Sequence, residues 1–400
     1  VYMDYAATTP MDERVFKIMR KYQSEEFGNP SSMHTMGIIA KRAVEDSRKK
    51  VASVLNCRPQ EIYFTGGGTE GDNLAIFGLA RVLGSACRQT DKKKFKHIIT
   101  SAIEHNAILS PCHVLEKEGF EVTYLPVDKR GRVNPKDVAK ALRPDTFLVS
   151  IMYANNEIGT IQSIKEIAKV IRHYRRTLNA DRSTLYPLFH TDACQAPGAL
   201  SLNVSQLGVD LMTISGSKIY GPKGVGSLFV REGVSVNPII YGGGQERGIR
   251  SGTENVSGIV GFGEALLITE KMREKESARL TNLRNYFAES IIKKFPGTEI
   301  NGDMNERLPN NLNVFFPNTE NEQLVIELDA IGVSVSAGSA CHSNSTGGSH
   351  VIWAISEDAN RINGSIRFTL GRGTTKKDID FVLKSLPEIV KRLTTSTIPV

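Results

Sequence analysis

The chain has 400 residues, 40% of them hydrophobic, and a formal net charge of +7. That is enough to bury a large core, and the length suggests two domains or one large domain with a smaller appendage. Nothing approaches the roughly 18 consecutive apolar residues of a membrane span, and five scattered cysteines without a C-x-x-C pair argue against a disulfide framework or zinc site.

The cysteines (Cys57, Cys87, Cys112, Cys194, Cys341) instead fit a reducing, cytoplasmic setting. The opening "VYMDYAATTP" looks like neither a signal nor a transit peptide. "MDERVFKIMRKY" then places Val15, Ile18, Met19 and Tyr22 at helical spacing, and "SIKEIAKVIRHY" does the same with Ile164, Ile167, Ala168 and Ile171. Short apolar runs lie between such stretches: "EIYF" (61–64), "HIIT" (97–100), "TFLVSIM" (146–152), "PLFHT" (187–191), "DLMTI" (210–214) and "GSLFV" (226–230). Strands alternating with helices predict an α/β fold with a mostly parallel sheet covered on both faces. The basic stretch "RQTDKKKFK" (88–96) reads as a solvated loop, and no nucleic-acid module accompanies it. "TLNADRSTLY" (177–186) reads as a surface insertion. A long helix is expected from about Ser257 to Lys294. "LNVFF", a helix over 321–330, "GVSVS", "GSIRFTL" and a last helix from Lys376 follow, in the order of a smaller α+β domain. The expected division is a large domain over 15–256 and a small one from 1–14 with 257–400.

In open α/β sheets ligands bind beyond the carboxyl ends of the strands. "EIYF" leads into "TGGGTEGDN", a glycine-rich turn opening a helix, whose free N–H groups suit a phosphate. It is not a Walker A loop and is weak evidence alone. "HIIT" leads to His105, "TFLVSIM" to Asn155 and Asn156, "PLFHT" to Asp192, Cys194 and Gln195, and "DLMTI" to Ser215, Ser217 and Lys218. Singly, each has an ordinary reading: a core histidine, turn asparagines, a helix cap, a surface lysine. Together, a phosphate cradle, an aromatic nitrogen base, an acid and a lysine fall at one sheet edge. That inventory suits pyridoxal 5'-phosphate held as a lysine Schiff base, with an acid on its ring nitrogen. One cysteine also stands apart. Cys341 lies in "SVSAGSACHSNSTGG" (334–348) among small polar residues, although cysteine is among the most readily buried residue types. A reactive thiol, unlike a structural one, gains from that access.

The chain resembles the cysteine desulfurases of the NifS/IscS type, within fold-type I of the pyridoxal-phosphate enzymes. The likeness runs through "YMDYAATTP", "FGNPSSMH", "TEGDNLAI", "ITSAIEHNAIL", "ANNEIGTIQ", "HTDACQA", "SGSKIYGPKGVG", "GGGQERGIRSGTENV", "SAGSAC" and "GSIRFTLGR". It implies conversion of L-cysteine to L-alanine with a persulfide on Cys341, the sulfur then passing to an iron–sulfur scaffold or a tRNA-thiolation relay. It implies that Lys218 forms the Schiff base, Asp192 pairs with the ring nitrogen, Gln195 bonds the ring hydroxyl and His105 lies over the ring. Gly68, Thr69, Glu70, Ser215 and Ser217 would serve the phosphate end, and Asn155 with Arg367 the substrate carboxylate. Thr253 would reach the phosphate of a neighbouring subunit, so the resemblance implies a homodimer. His342, beside Cys341, is a candidate base for its thiol. No metal is expected. Ser217 stands where the family usually has histidine, the turn reads "GGGTEGDN" where "SGATESNN" is commoner, and the chain ends without the longer tail that grips a scaffold partner. Selenocysteine lyase or another aminotransferase-like reaction is the nearest alternative, and a binding protein retaining the fold is one from a different class. The loop "GGGQERGIRSGTEN" (242–255) has no helical or strand period and is expected to gain its order across a two-fold interface.

Overall fold

A computed structural model describes residues 1–86, 96–178, 185–338 and 348–396. Cys341 and His342, the basic stretch over 88–95 and most of the 177–186 insertion lie outside the described residues. In chain order the first half runs α1 (Glu13–Ser24), α2 (Thr35–Leu55), β1 (Ile62–Thr65), α3 (Gly68–Ala86), β2 (His97–Ser101), α4 (Asn106–Lys117), β3 (Glu121–Leu125), α5 (Pro135–Ala141), β4 (Thr146–Ser150) and α6 (Ile164–Leu178). The chain continues through β5 (Leu188–Asp192), α7 (Val204–Leu207), β6 (Leu211–Ser215), β7 (Gly226–Val230), α8 (Val256–Lys294), β8 (Glu299–Ile300) and β9 (Asn311–Phe315). It finishes with α9 (Asn321–Ala330), α10 (His350–Ser356), α11 (Ala359–Asn363), β10 (Ser365–Thr369) and α12 (Lys376–Ser396).

The first seven strands form one sheet in the order β1-β7-β6-β5-β4-β2-β3. Every pair from β6 to β3 is parallel, while β7 runs antiparallel to both β6 and β1. Strands β2, β4, β5, β6 and β7 are buried at every residue. That explains why their sequences read as unbroken apolar runs instead of alternating ones: helices cover both faces. β3 is the edge strand and half exposed, so Glu121 and Thr123 interrupt its apolar pattern and hide it from a run-based reading. "GVSVS" forms no strand; Ser334 and Ser336 make single bridges to Tyr2 and Arg367.

A second sheet, β10-β9-β8, is antiparallel. Its core gathers Phe287, Val314, Phe368 and Leu386, and it takes in Met3 from the chain's start. The two cores meet along α8. Val256 to Ile268 pack in the core of the large sheet, whereas Leu280, Phe287 and Ile291 belong to the small one. The expected boundary at 256/257 coincides with the start of this helix, and the change of core comes partway along it. One continuous helix therefore fixes how the small sheet sits against the strand ends of the large one.

Candidate active site

Strands β4, β5 and β6 end side by side, and β1 points the same way two positions further along the sheet. A cavity of about 250 Å³ lies against these ends. Gly68, Thr69, Asp192, Gln195, Ser215 and Lys218 form part of its wall, joined by His105, Ser217 and Arg367.

At one end, the 19-residue helix α3 begins at Gly68, so its first N–H groups belong to residues on the cavity wall. At Gly68 the backbone lies close to the Cys194 side chain: a Cβ there would come within 2.6 Å of Cys194 Sγ, which would have to shift. Across from this helix start, the hydroxyls of Ser215 and Ser217 meet at 3.1 Å. Helix N–H groups, two hydroxyls and bare backbone make an anion cradle.

On the floor, Asp192 closes β5 and is 8% exposed; its Oδ1 accepts from Cys194 N at 2.8 Å, which fixes the carboxyl's direction. Burial, then Asp192 and Asp72, push the neighbouring Cys194 thiol far above its usual range. That thiol stays protonated and is no competing nucleophile inside the cavity. Lys218 follows β6 through a short turn and donates to the carbonyl of Ala6 at 2.8 Å and to that of Ala7. Gln195 Nε2 donates to the same Ala6 carbonyl at 3.0 Å. The chain's start is thus a wall of the site.

His105 caps α4, its Nδ1 accepting from Ala107 N at 3.1 Å. Burial depresses its pKa, with Lys218 adding and Asp192 opposing. The ring is neutral near pH 7, and the accepting Nδ1 places its proton on Nε2. Glu104, just before it, is fully buried and its carboxyl is pushed up to about 8, mainly by burial.

Arg367 from β10, 2% exposed, borders the same cavity. Its Nη2 pairs with Asp4 Oδ1 at 2.7 Å and its Nη1 donates to the Asn156 carbonyl at 3.0 Å, while Nε has no partner. A buried guanidinium at a cavity wall suits a carboxylate ligand.

This arrangement has close relatives. A family model described as aminotransferase class-V matches residues 1–382. A cysteine desulfurase IscS from Dictyoglomus turgidum is 48% identical over 395 residues, covering 99% of this chain and 95% of that protein. One of the same name from Methanosarcina thermophila is 47% identical over 393 residues, covering 98% and 92%. A solved structure titled NifS-like protein superposes with a TM-score of 0.88 at 37% identity, over 98% of this chain and 100% of that one.

The chain belongs to the class-V aminotransferase family.

The cofactor of this family is pyridoxal phosphate, and the cavity suits it. The anion cradle matches its phosphate, the oriented Asp192 its ring nitrogen, and the Lys218 amine its aldehyde. The class-V wall is assembled mostly from the residues expected. His105, Asp192, Gln195, Gly68, Thr69, Ser215, Ser217, Lys218 and Arg367 all border this one cavity.

Asn155, Glu70 and the 242–255 loop stand apart from that wall. Asn155 is not on the cavity wall. It is fully buried, with Nδ2 donating to the Ile103 carbonyl and Oδ1 accepting from the N–H groups of Glu157 and Ile158. Its neighbour Asn156 borders the cavity instead, because adjacent residues of a tight turn face opposite ways. Glu70 turns from the cavity to accept from Gly66 N at 2.9 Å and to pair with Arg250 at 2.9 Å, so it braces the glycine turn. The loop 242–255 has anchors within its own chain. Arg48 grips Glu246 in a buried two-pronged pair at 2.7 and 2.8 Å, Phe64 N donates to Glu246, and Arg247 stacks 4.1 Å over Tyr63. Thr253 is exposed on this loop, away from the cavity of its own chain.

Of the other wall residues, Ala6 and Asp72 were not singled out by sequence reasoning, while Cys194 and Asn156 were noted at their strand ends but given no role. All four lie inside motifs already singled out, so the signal was the motif and not the residue. Among the described residues no cluster of His, Cys, Asp or Glu could hold a metal ion, and no helix is long and apolar enough to cross a membrane.

Proposed function

We infer that the chain is a pyridoxal-phosphate-dependent cysteine desulfurase, which takes sulfur from L-cysteine and releases L-alanine. The observation that carries the reading is the pairing of a cofactor floor (Asp192, Lys218, the Ser215–Ser217 cradle) with the buried Arg367 on the facing wall. Relatives bearing the name cysteine desulfurase IscS match this chain almost end to end. When bound, pyridoxal phosphate supplies an electron sink that makes the substrate's α-proton and its sulfur labile. Arg367 orients the substrate through its carboxylate. The Lys218 amine would hold the cofactor's aldehyde in the resting enzyme and serve to move the substrate's α-proton. Neutral His105 keeps a proton on Nε2, available for exchange beside the reacting atoms.

Cys341 is the sulfur acceptor in this reading. Its thiolate sulfur bonds to the substrate sulfur as the carbon–sulfur bond breaks; the electron pair left on carbon takes up a proton. The balance is L-cysteine plus the Cys341 thiol giving L-alanine plus the Cys341 persulfide. The persulfide then serves an acceptor protein of iron–sulfur assembly or tRNA thiolation. The enzyme works as a homodimer in which the exposed Thr253, on its firmly anchored loop, completes the partner's phosphate site.

The test is alanine production from L-cysteine by the Cys341→Ser variant. It is expected to bind cofactor and cysteine but to form neither persulfide nor alanine, since a hydroxyl is a far weaker nucleophile at neutral pH. Normal alanine and sulfide release by this variant would remove Cys341 from the reaction. For the dimer, Lys218→Ala and Thr253→Ala subunits are mixed. Half of the heterodimer's sites should then keep native cofactor affinity, and two equally impaired sites would exclude shared sites.

A further inference from the structure

The turn that carries the anion cradle has no side chain of its own to hold it. Gly66, Gly67 and Gly68 join β1 to α3, and Gly67 has φ +142°, a conformation that side-chain-bearing residues rarely adopt. Glycine loses more backbone freedom on ordering than any other residue, so the place where α3 begins depends on contacts that reach the turn from its surroundings. The Gly67 carbonyl accepts from Thr65 Oγ1 at 3.0 Å and from Gly71 N at 3.1 Å. Gly66 N donates to Glu70 Oε2 at 2.9 Å. Arg250 then grips that same carboxylate with two prongs, Nε to Oε1 at 2.9 Å and Nη2 to Oε2 at 3.3 Å.

Arg250 belongs to the 242–255 loop, and this loop is fastened to the strand just before the turn. Glu246 accepts from Phe64 N at 2.9 Å and from the buried Arg48, and Arg247 Nη2 donates to the Ile62 carbonyl at 2.6 Å. The loop thus holds the chain on both sides of the glycines, at Phe64 through Glu246 and at Glu70 through Arg250. The Arg250 and Glu70 side chains are mostly sheltered, and a two-pronged pair fixes direction as well as distance. Neither residue borders the cavity. Arg250 directs its fork at Glu70, so its influence on an anion in the cradle runs through Gly66 and the start of α3.

We propose that Arg250 is a positioning residue for the phosphate cradle of its own subunit, acting through Glu70 on the glycine turn. The proposal rests on the pyridoxal-phosphate reading of the cavity. Together with the role given to Thr253, it makes one loop serve two phosphate sites, its own through Arg250 and the partner's through Thr253.

The test compares two probes on the full-length apoprotein: pyridoxal phosphate, and pyridoxal, which lacks the phosphate. Arg250→Gln should weaken pyridoxal phosphate about tenfold and leave pyridoxal within about twofold of wild type. Equal losses for both probes, or none, would overturn the proposal. Adding Arg250→Gln to Glu70→Gln should cost little more than Glu70→Gln alone, because both act through one contact. Additive losses would mean that Arg250 meets the phosphate by another route, against the proposal. If Arg250→Gln does not fold, Arg250→Lys, which keeps the charge and loses the fork, takes its place in the same comparison. Mixed dimers separate action within a chain from action across the interface. A heterodimer of Lys218→Ala with Arg250→Gln should have no site of native cofactor affinity, whereas Lys218→Ala with Thr253→Ala should keep half. Native affinity at half the sites of the Arg250 heterodimer would place its action in the partner's site and overturn the proposal. A wild type that binds pyridoxal phosphate no more tightly than pyridoxal would defeat the cradle reading and the proposal together. That result is distinct from a variant that keeps the wild type's preference, which defeats the proposal alone.

Discussion

The two walls of the cavity are built in different ways. The floor comes from the ends of neighbouring parallel strands: Asp192 closes β5, Ser215 closes β6, and Lys218 follows three residues later. Strand pairing fixes these backbones, so each side chain inherits its place from the sheet. The facing wall is assembled at the seam between the two cores. Arg367 comes from β10, Asp4 from the start of the chain and Asn156 from the turn after β4, with partners 363 and 211 residues apart. The floor is rigid because its parts share one ladder. The seam is only as well placed as the packing of one core on the other along α8. A cofactor needs the first kind of construction, and a substrate that enters and leaves suits the second.

Substitutions can separate the two walls. The largest effect is expected at the floor: Lys218→Ala should abolish alanine formation and leave pyridoxal phosphate removable by dialysis, as absorbance in the visible band will report. Turnover at the wild-type rate would exclude Lys218 as the amine that bonds the cofactor. At the seam, Arg367→Ala should raise KM for cysteine with less change in kcat, because the carboxylate contact is present before the chemistry. A charge-assisted hydrogen bond contributes about 1.5–3 kcal/mol, so the rise is roughly ten- to hundredfold. An unchanged KM would assign the carboxylate to another arginine, with Arg372 the first to test.

The paired asparagines sharpen the contrast. Asn155→Ala removes buried hydrogen bonds within the turn and should lower stability by about 1–3 kcal/mol, read as a shift in the denaturation midpoint. Asn156→Ala should keep that stability and act on KM instead. The reverse pattern would restore Asn155 as the ligand. The smallest effect is expected from Asp4→Asn, which loosens Arg367 without removing it. We expect KM to rise by about 0.5–1.5 kcal/mol in free-energy terms, severalfold.

How much of this was legible in the sequence follows the same division. The parallel strands were readable because full burial makes each an apolar run, and the residues beyond them therefore pointed to one edge. β3 escaped because an edge strand carries Glu121 and Thr123 in a half-exposed pattern. Arg367 was found by motif, but its partner Asp4 was not, since nothing local in "YMDY" signals a contact across the whole chain. Choosing Asn155 over Asn156 was a question of which way a side chain faces in a turn, and periodicity says nothing about turns. The anchoring of the 242–255 loop was hidden for a related reason. Its lack of period was visible, whereas the buried grip of Arg48 on Glu246 joins α2 to the loop across 198 residues.

The most direct test of the account follows the sulfur itself. Enzyme loaded with pyridoxal phosphate is given a single equivalent of L-cysteine per site and quenched with a thiol-blocking reagent. Peptide mass spectrometry then locates any added sulfur while alanine is counted in the same sample. The account predicts one alanine per site and one extra sulfur on the peptide bearing Cys341, with Cys194 unmodified. Alanine formed without sulfur on Cys341, or with the sulfur on Cys194, would contradict it.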